Sequence, residues 1–379
     1  MGSSYLQEEH YMFRDSLRKF LEKEAVPFYE DWEEERMIPR KLWTKMGDNG
    51  FLCPWLDEEF GGLGADFGYS VVFNEEIERV GTSMIGLGLH NDIVVPYLND
   101  YGSAGKKVEW LPKCVSGECI TAIAMTEPDA GSDLAGIKTT AIKDGDHYIL
   151  NGQKTFITNG ILADLVVVVC KTDPSAGHKG ISLLVVEEGM EGFSKGRKLD
   201  KVGLHAQDTA ELFFEDVKIP EENLLGEEGK GFYYLMEKLQ QERLIVGISG
   251  QVAAEEMLEM TMDYVKERKA FGKRVSQFQN TQFKIAETAT EIKIGRTFLD
   301  DVISKHMDGE EVVTEVSMAK WWITDMARRT ANTCMQLHGG YGYMEEYPIA
   351  RRYRDIPVSS IYAGTNDIMK NIIAKNMGL

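Results

Sequence analysis

Apolar residues over the first part of the chain recur at helical spacing, as in Tyr11-Phe13-Leu17-Phe20-Leu21, and the pattern runs from Leu6 to about Leu111. Glycine-rich breaks such as Gly61-Gly62-Leu63-Gly64 separate its segments. Between Cys119 and about Leu225 the character changes to short β-branched runs, among them Leu165-Val166-Val167-Val168-Val169 and Ile181-Ser182-Leu183-Leu184-Val185-Val186. Asp144-Gly145 and Asn151-Gly152 each supply the positive φ of a tight primed turn, so two hairpins and a mostly antiparallel sheet are predicted. After Gly226 and Gly229 long helices return, from about Gly231 past Met262, Phe283 to His306, Val313 to His338 and Asp367 to Lys375. The chain divides into a helical domain over 1–118, a β domain over 119–227 and a second helical domain over 228–379, with no repeat or low-complexity linker between them.

Composition narrows the possibilities. With 379 residues, 43% of them hydrophobic and 27% charged, the chain has the balance of a globular protein of two or three domains. A formal charge of -19 repels phosphates, which argues against general binding to nucleic acid or anionic lipid. The acidic stretch from Glu30 to Glu35 reads as a solvated helix face. Five cysteines with no CxxC spacing suit a reducing compartment. The opening MGSSYLQEEHYMFRDSL has no apolar core with a cleavage site, and no run approaches the about 20 apolar residues of a membrane span, so a soluble protein is expected, in a bacterial cytoplasm or a mitochondrial matrix. No GxGxxG after a strand, GxxxxGK[ST], HExxH or other metal spacing occurs, so no metal is expected and any nucleotide cofactor must be held by other means.

Three segments carry candidate chemistry. Ala124-Met125-Thr126-Glu127-Pro128-Asp129-Ala130-Gly131-Ser132-Asp133 is a strand end running into a small-residue turn that could approach an anion or a flat ring, or could be an ordinary Pro-Asp turn. In Lys154-Thr155-Phe156-Ile157-Thr158-Asn159-Gly160, alternation places Phe156 and Thr158 on one strand face, an aromatic plate beside a hydroxyl, unless Phe156 merely faces the core. Arg268-Lys269-Ala270-Phe271-Gly272-Lys273 with Gln279 is a basic helix end, suited to gripping a phosphate or to complementing the helix dipole.

Together with Gln336-Leu337-His338-Gly339-Gly340 and Ile361-Tyr362-Ala363-Gly364-Thr365-Asn366, these segments resemble the acyl-CoA dehydrogenase family in order and spacing over nearly the whole chain. Lys195 to Arg243, with GRKLDKVGLHAQDTAELFFEDVKIP and GKGFYYLM, is most similar to its long-chain branch. The resemblance implies an α+β fold in which a central antiparallel β-barrel domain lies between an N-terminal helical domain and a C-terminal helical bundle. It also implies FAD at the domain junction and a homotetramer built from dimers. Met125 and Thr126 would lie along the flavin edge, Ser132 near the pyrophosphate and the thioester ligand, and Phe156 and Thr158 against the isoalloxazine. Arg268, Phe271 and Gln279 would meet the FAD of a neighbouring subunit, and Gln336, Leu337, Gly339 and Gly340 would reach its adenosine half. Thr365 and Asp367 would complete the site, with Asp367 standing where many relatives carry Gln or Glu.

Most members place the catalytic base as Glu in a Tyr-Glu-Gly-Thr segment, whereas this chain reads Tyr362-Ala363-Gly364-Thr365. The long-chain and isovaleryl branches carry the base in a Glu-Arg pair, matched here by Glu242-Arg243. Leu235, Leu239, Glu242 and Val246 share one helix stripe, so the Glu242 carboxyl is expected to be partly desolvated and its pKa raised toward neutrality. The implied reaction is α,β-dehydrogenation of acyl-CoA, with Glu242 taking the α-proton and the backbone amide of Ala363 polarising the thioester carbonyl. Gly364 beside it, Tyr233, Gln240 and Arg243 match substrate positions, and Gln240 replaces an Asp common in other branches. Gly86 and Gly88, before Ile93-Val94-Val95-Pro96, would leave room for a long acyl chain or permit close helix packing. The expected substrate is medium- to long-chain acyl-CoA and the expected acceptor an electron-transferring flavoprotein. Branched short acyl-CoA, a carrier-bound acyl group, an oxidase or monooxygenase, and a non-catalytic acyl-CoA-binding scaffold are the alternatives.

Overall fold

The computed structural model describes residues 5–81 and 84–379; the first four residues of the opening segment lie outside it. The N-terminal part contains α1 (Glu8–Glu24), α2 (Tyr29–Glu35), α3 (Arg40–Asp48), α4 (Phe67–Val80) and α5 (Ile85–Gly88). A π-helical turn over Leu89–Val94 follows, then α6 (Val95–Tyr101) and α7 (Ala104–Ser116). The π-turn has a local cause. Pro96 has no amide proton to give to the carbonyl four residues back, that of Asp92, and this carbonyl instead accepts from Gln241 Nε2 at 2.7 Å.

The middle part holds β1 (Thr121–Ala124), β2 (Thr140–Asp144), β3 (His147–Thr158), β4 (Leu165–Lys171), β5 (Ile181–Glu187), β6 (Phe193–Lys198) and β7 (Thr209–Pro220). These strands form one curled, open sheet. The expected closed barrel is not formed, because β5 and β6 do not pair with one another and the sheet stays open between them. The β5 edge is covered by the chain at Leu224 and Leu225, which bonds back to Leu183 at 2.9 Å. Pairing is mostly antiparallel, with β4 parallel to β1 and to the start of β2. Both faces of β4 and β5 are buried, and the period of two sorts their side chains. Val166, Val168, Leu184 and Val186 enter a core within the sheet, while Val167, Val169, Leu183 and Val185 enter a core shared with α6 and α7.

Only one of the two hairpin signals makes a hairpin. Gly145, at φ 64°, turns β2 into β3, but Asn151 and Gly152 lie inside β3, where the register against β7 slips. Gly152 is required there by contact: a Cβ would lie 2.4 Å from Thr139 Oγ1.

The C-terminal part consists of α8 (Gly231–Glu267), a two-residue hairpin of β8 (Lys269–Ala270) and β9 (Lys273–Arg274), α9 (Gln279–Met307), α10 (Val313–His338), α11 (Pro348–Asp355) and α12 (Asn366–Asn376). Among the described residues, no helix is long and apolar enough to cross a membrane. The helix α8 links two cores. Its Leu235 belongs to the one shared by α6, α7 and the sheet, and its Leu244, Ile245 and Ile248 to the one among α8, α9 and α10.

Candidate active site

At that transition on α8 stands Glu242, 4% exposed, below the buried Leu235 and Leu239 and before Val246. The apolar stripe therefore carries a carboxyl almost out of reach of bulk solvent. Burial pushes the Glu242 carboxyl up to about 7, against the hydrogen bond from Tyr97 and the charges of Arg243 and Lys238. Tyr97, on α6, donates to Glu242 Oε1 at 2.7 Å. Arg243 is itself buried, and among the described residues its Nε has no hydrogen-bond partner.

The Tyr362-Ala363-Gly364-Thr365 segment, which joins the chain after α11 to α12, is held by a second buried cation. Lys320 on α10 donates from Nζ to the carbonyl of Gly364 at 2.7 Å and to Asn366 Oδ1 at 3.1 Å. Burial, and then the neighbouring Arg243 guanidinium, push the Lys320 ammonium down to about 7. Under this clamp Ala363 takes a left-handed backbone, φ 52°, which costs energy for any residue with a Cβ. Arg243, the residue after Glu242 on α8, thus lies within electrostatic reach of Lys320 on α10, which in turn holds the Gly364 carbonyl. Thr365 caps α12 by accepting from the Ile368 amide, and Asp367 lies exposed in the first turn of that helix.

Met125 and Thr126 leave β1 on a loop fixed by buried charge. Lys154 Nζ donates to the Met125 carbonyl at 2.9 Å and to Glu127 Oε1 at 2.8 Å, and the Thr155 amide donates to the Thr126 carbonyl at 2.9 Å. Glu127 also accepts from the amides of Lys138 and Thr139, and although burial opposes it, the Lys154 ammonium first and then these donors hold its carboxyl below the usual range. Met125 packs against the core that contains Tyr97 and Leu235. The Pro128-Asp129 turn closes tightly between Glu127 and Ala130, and Ser132 beyond it is exposed. On β3 the expected alternation is interrupted by a register shift between Lys154 and Ile157. This bulge puts Phe156 at φ 60° and turns it outward, 69% exposed, while Thr158 is half-buried.

A third group lines a cleft of about 550 Å³: Arg268, Gln336, Leu337, Gly339 and Gly340, with Tyr264 and Tyr341 among its walls. The Arg268 guanidinium lies 5.1 Å over the Tyr341 ring. A Cβ on Gly339 or Gly340 would meet no protein atom, so the backbone faces open space. Phe271 projects from the tip of the β8–β9 hairpin, 96% exposed, and Gln279 opens α9, also exposed. Tyr233 is half exposed on the first turn of α8, under Lys230. Gln240 points away from Glu242: it bonds to His306, to the Glu310 carbonyl and to the Val312 amide. Gly86 and Gly88 are packing glycines, since a Cβ would come within 2.2 Å of Asn159 Oδ1 and 2.3 Å of Asn74 Oδ1 respectively. Sequence reasoning missed Tyr97, Lys320 and the Lys154–Glu127 pair. Tyr97 follows directly on the segment expected to line the acyl pocket, and Lys154 and Glu127 sit inside two of the motifs.

Profiles of the acyl-CoA dehydrogenase N-terminal, middle and C-terminal domains match residues 7–118, 122–217 and 229–378. The chain belongs to the acyl-CoA dehydrogenase family. It is 50% identical over 371 residues to the mitochondrial long-chain specific acyl-CoA dehydrogenase of Sus scrofa, covering 97% of this chain and 86% of that one. It is 37% identical to an acyl-CoA dehydrogenase of Bacillus subtilis, over 98% of both chains. The crystal structure of an acyl-CoA dehydrogenase from Geobacillus kaustophilus superposes with a TM-score of 0.99 at 70% identity, over the whole of both chains. This acyl-CoA dehydrogenase has the family's fold, resembles its long-chain branch and depends on FAD. The residues suit that cofactor: an open glycine-bearing cleft lined by a guanidinium would suit its anionic part, and the exposed Phe156 ring would suit its flat rings.

Proposed function

We propose that the chain oxidises medium- to long-chain acyl-CoA to the trans-2-enoyl thioester, with Glu242 as the base. The observation that carries this reading is the buried Glu242 carboxyl, raised to about 7, next in sequence to Arg243, which faces the Lys320 that bonds Gly364. A carboxylate of that proton affinity is matched to a weakly acidic α-hydrogen at neutral pH. The Ala363 amide, held by the Lys320 contact to Gly364, would donate to the thioester carbonyl as negative charge develops on its oxygen. Arg243, whose Nε is buried without a partner among the described residues, adds positive charge beside the base. Met125, Thr126, Ser132, Phe156 and Thr158 would hold the flavin half of FAD, with Thr365 and Asp367 completing the site. FAD, when bound, supplies the acceptor for the β-hydride.

The cleft residues Arg268, Gln336, Leu337, Gly339 and Gly340, with Phe271 and Gln279, would hold the adenosine half of an FAD from a second subunit. A homotetramer also fits the exposed Phe271, Tyr343, Phe283 and Ile361. Electrons would pass to an electron-transferring flavoprotein, in a bacterial cytoplasm or a mitochondrial matrix. Glu242→Gln is expected to bind FAD and acyl-CoA yet fail to bleach the flavin on anaerobic mixing with palmitoyl-CoA; bleaching at the wild-type rate would remove Glu242 from the role. A panel with isovaleryl-CoA and an acyl-loaded carrier protein is expected to favour palmitoyl-CoA, and preference for either alternative overturns the substrate class.

A further inference from the structure

One polar group at the base has no part in the chemistry above. Tyr97 is fully buried, on α6, and among the described residues only its hydroxyl donates a hydrogen bond to the Glu242 carboxyl. A phenylalanine would fill the same apolar space, so packing does not account for the hydroxyl. The helices on either side are also locked together at this point. Gln241 donates to the Asp92 carbonyl that Pro96 leaves free, and the next residue, Glu242, accepts from the residue after Pro96. Two successive positions of α8 are therefore tied to the π-turn and to the start of α6 that follows it, which fixes the rotation of α8 about the base.

We propose that Tyr97 is a positioning residue for proton abstraction: it engages Oε1 of Glu242, leaves Oε2 for the substrate, and favours the charged carboxylate. The proposal rests on Glu242 being the base. A phenol bonded to a carboxylate makes a charge-assisted contact that weakens once the carboxyl is protonated, so it stabilises the form able to accept a proton. Burial works in the opposite direction and is the larger effect. The other charged and titratable neighbours are few. Arg243 and Lys238 on α8 face Glu242, Tyr101 on α6 and Glu237 on α8 face Tyr97, and Lys320 on α10 faces Arg243. Tyr97 thus keeps a buried base from remaining protonated at neutral pH.

The test uses the FAD-loaded enzyme and the pH dependence of anaerobic flavin bleaching by palmitoyl-CoA. In Tyr97→Phe the pH of half-maximal rate is expected to rise by about one unit or more, because a hydrogen bond to a charged group is lost. The rate would then fall about tenfold on the acid side and recover on the alkaline side. Replacing Tyr97 by 3-fluorotyrosine, a stronger donor of nearly the same size, is expected to move the midpoint down and covers the case in which Tyr97→Phe does not fold. Profiles that superimpose on wild type, or a loss that is the same at every pH, overturn the proposal. Glu242→Gln separates the two failures: if it still bleaches flavin the base assignment falls, and if it is silent while Tyr97→Phe keeps the wild-type profile, only the role of Tyr97 falls.

Discussion

Lys154→Met tests whether the flavin-edge loop is fixed by buried charge. The substitution keeps an unbranched apolar stem and deletes an ammonium that is fully buried and bonded to Glu127 Oε1 at 2.8 Å and to the Met125 carbonyl at 2.9 Å. Removing one member of a buried ion pair costs about 3–5 kcal/mol, since the other charge is left uncompensated. Glu127 retains the amides of Lys138 and Thr139, at 2.6 and 3.0 Å, so the cost belongs near the lower end of that range, about 3 kcal/mol. The damage is local, because the Met125 carbonyl loses its donor on the loop proposed to meet the flavin. The assays are denaturant unfolding followed by circular dichroism, and flavin fluorescence to follow release of FAD. Lys154→Met/Glu127→Gln is expected to be less destabilised than the sum of the single variants, by about 1–2 kcal/mol, because the stranded charge is gone. Additive costs, or a Lys154→Met variant within about 0.5 kcal/mol of wild type, would refute the reasoning.

In the wild type, anaerobic flavin bleaching is expected to rise with pH through about 7 and then level off, as Glu242 loses its proton; stopped-flow absorbance measures it. Because the folded carboxyl holds its proton more tightly than the usual 4.5, the contribution of Glu242 to stability is complete below that value and is lost as pH rises through about 7. Glu242→Gln should therefore unfold at a higher temperature than wild type on the alkaline side, and equal melting temperatures there would contradict the burial argument. Lys320→Met frees the Gly364 carbonyl and relaxes Ala363, and is expected to lower the flavin-bleaching rate about ten- to a hundredfold with FAD retained, read by single-turnover kinetics. Gly86→Ala drives a Cβ against Asn159 and Gln207, an overpacking worth about 1–3 kcal/mol of stability in denaturant unfolding.

The helical periodicity of the two outer parts and the β-branched runs between them were legible because each burial pattern repeats along one stretch of chain. Val313 to His338 emerges with the ends read from the sequence, and the runs at Leu165 and Ile181 became the doubly buried β4 and β5. The sheet's closure was not legible, because whether β5 meets β6 depends on twist and on what covers the edges. Asn151-Gly152 has a turn's composition, yet its glycine is used for a close approach to Thr139, a contact between β3 and the chain just before β2. Phe156 and Thr158 were singled out as a pair, but the strand alternation expected to place them is replaced by a bulge.

The spacing of residue types along the chain settled the stripe that buries Glu242 and the alanine that leaves the loop before α12 without a carboxylate, since both are matters of residue type at fixed positions. Only the tertiary structure decided what surrounds them. Tyr97 and Lys320 lie far from Glu242 and Gly364 along the chain, and their bonds form because Pro96 frees a carbonyl that docks α6 on α8 and because α10 packs beneath the loop. A carboxyl's proton affinity depends on water excluded and donors supplied from several elements at once, and no single stretch of chain encodes that sum.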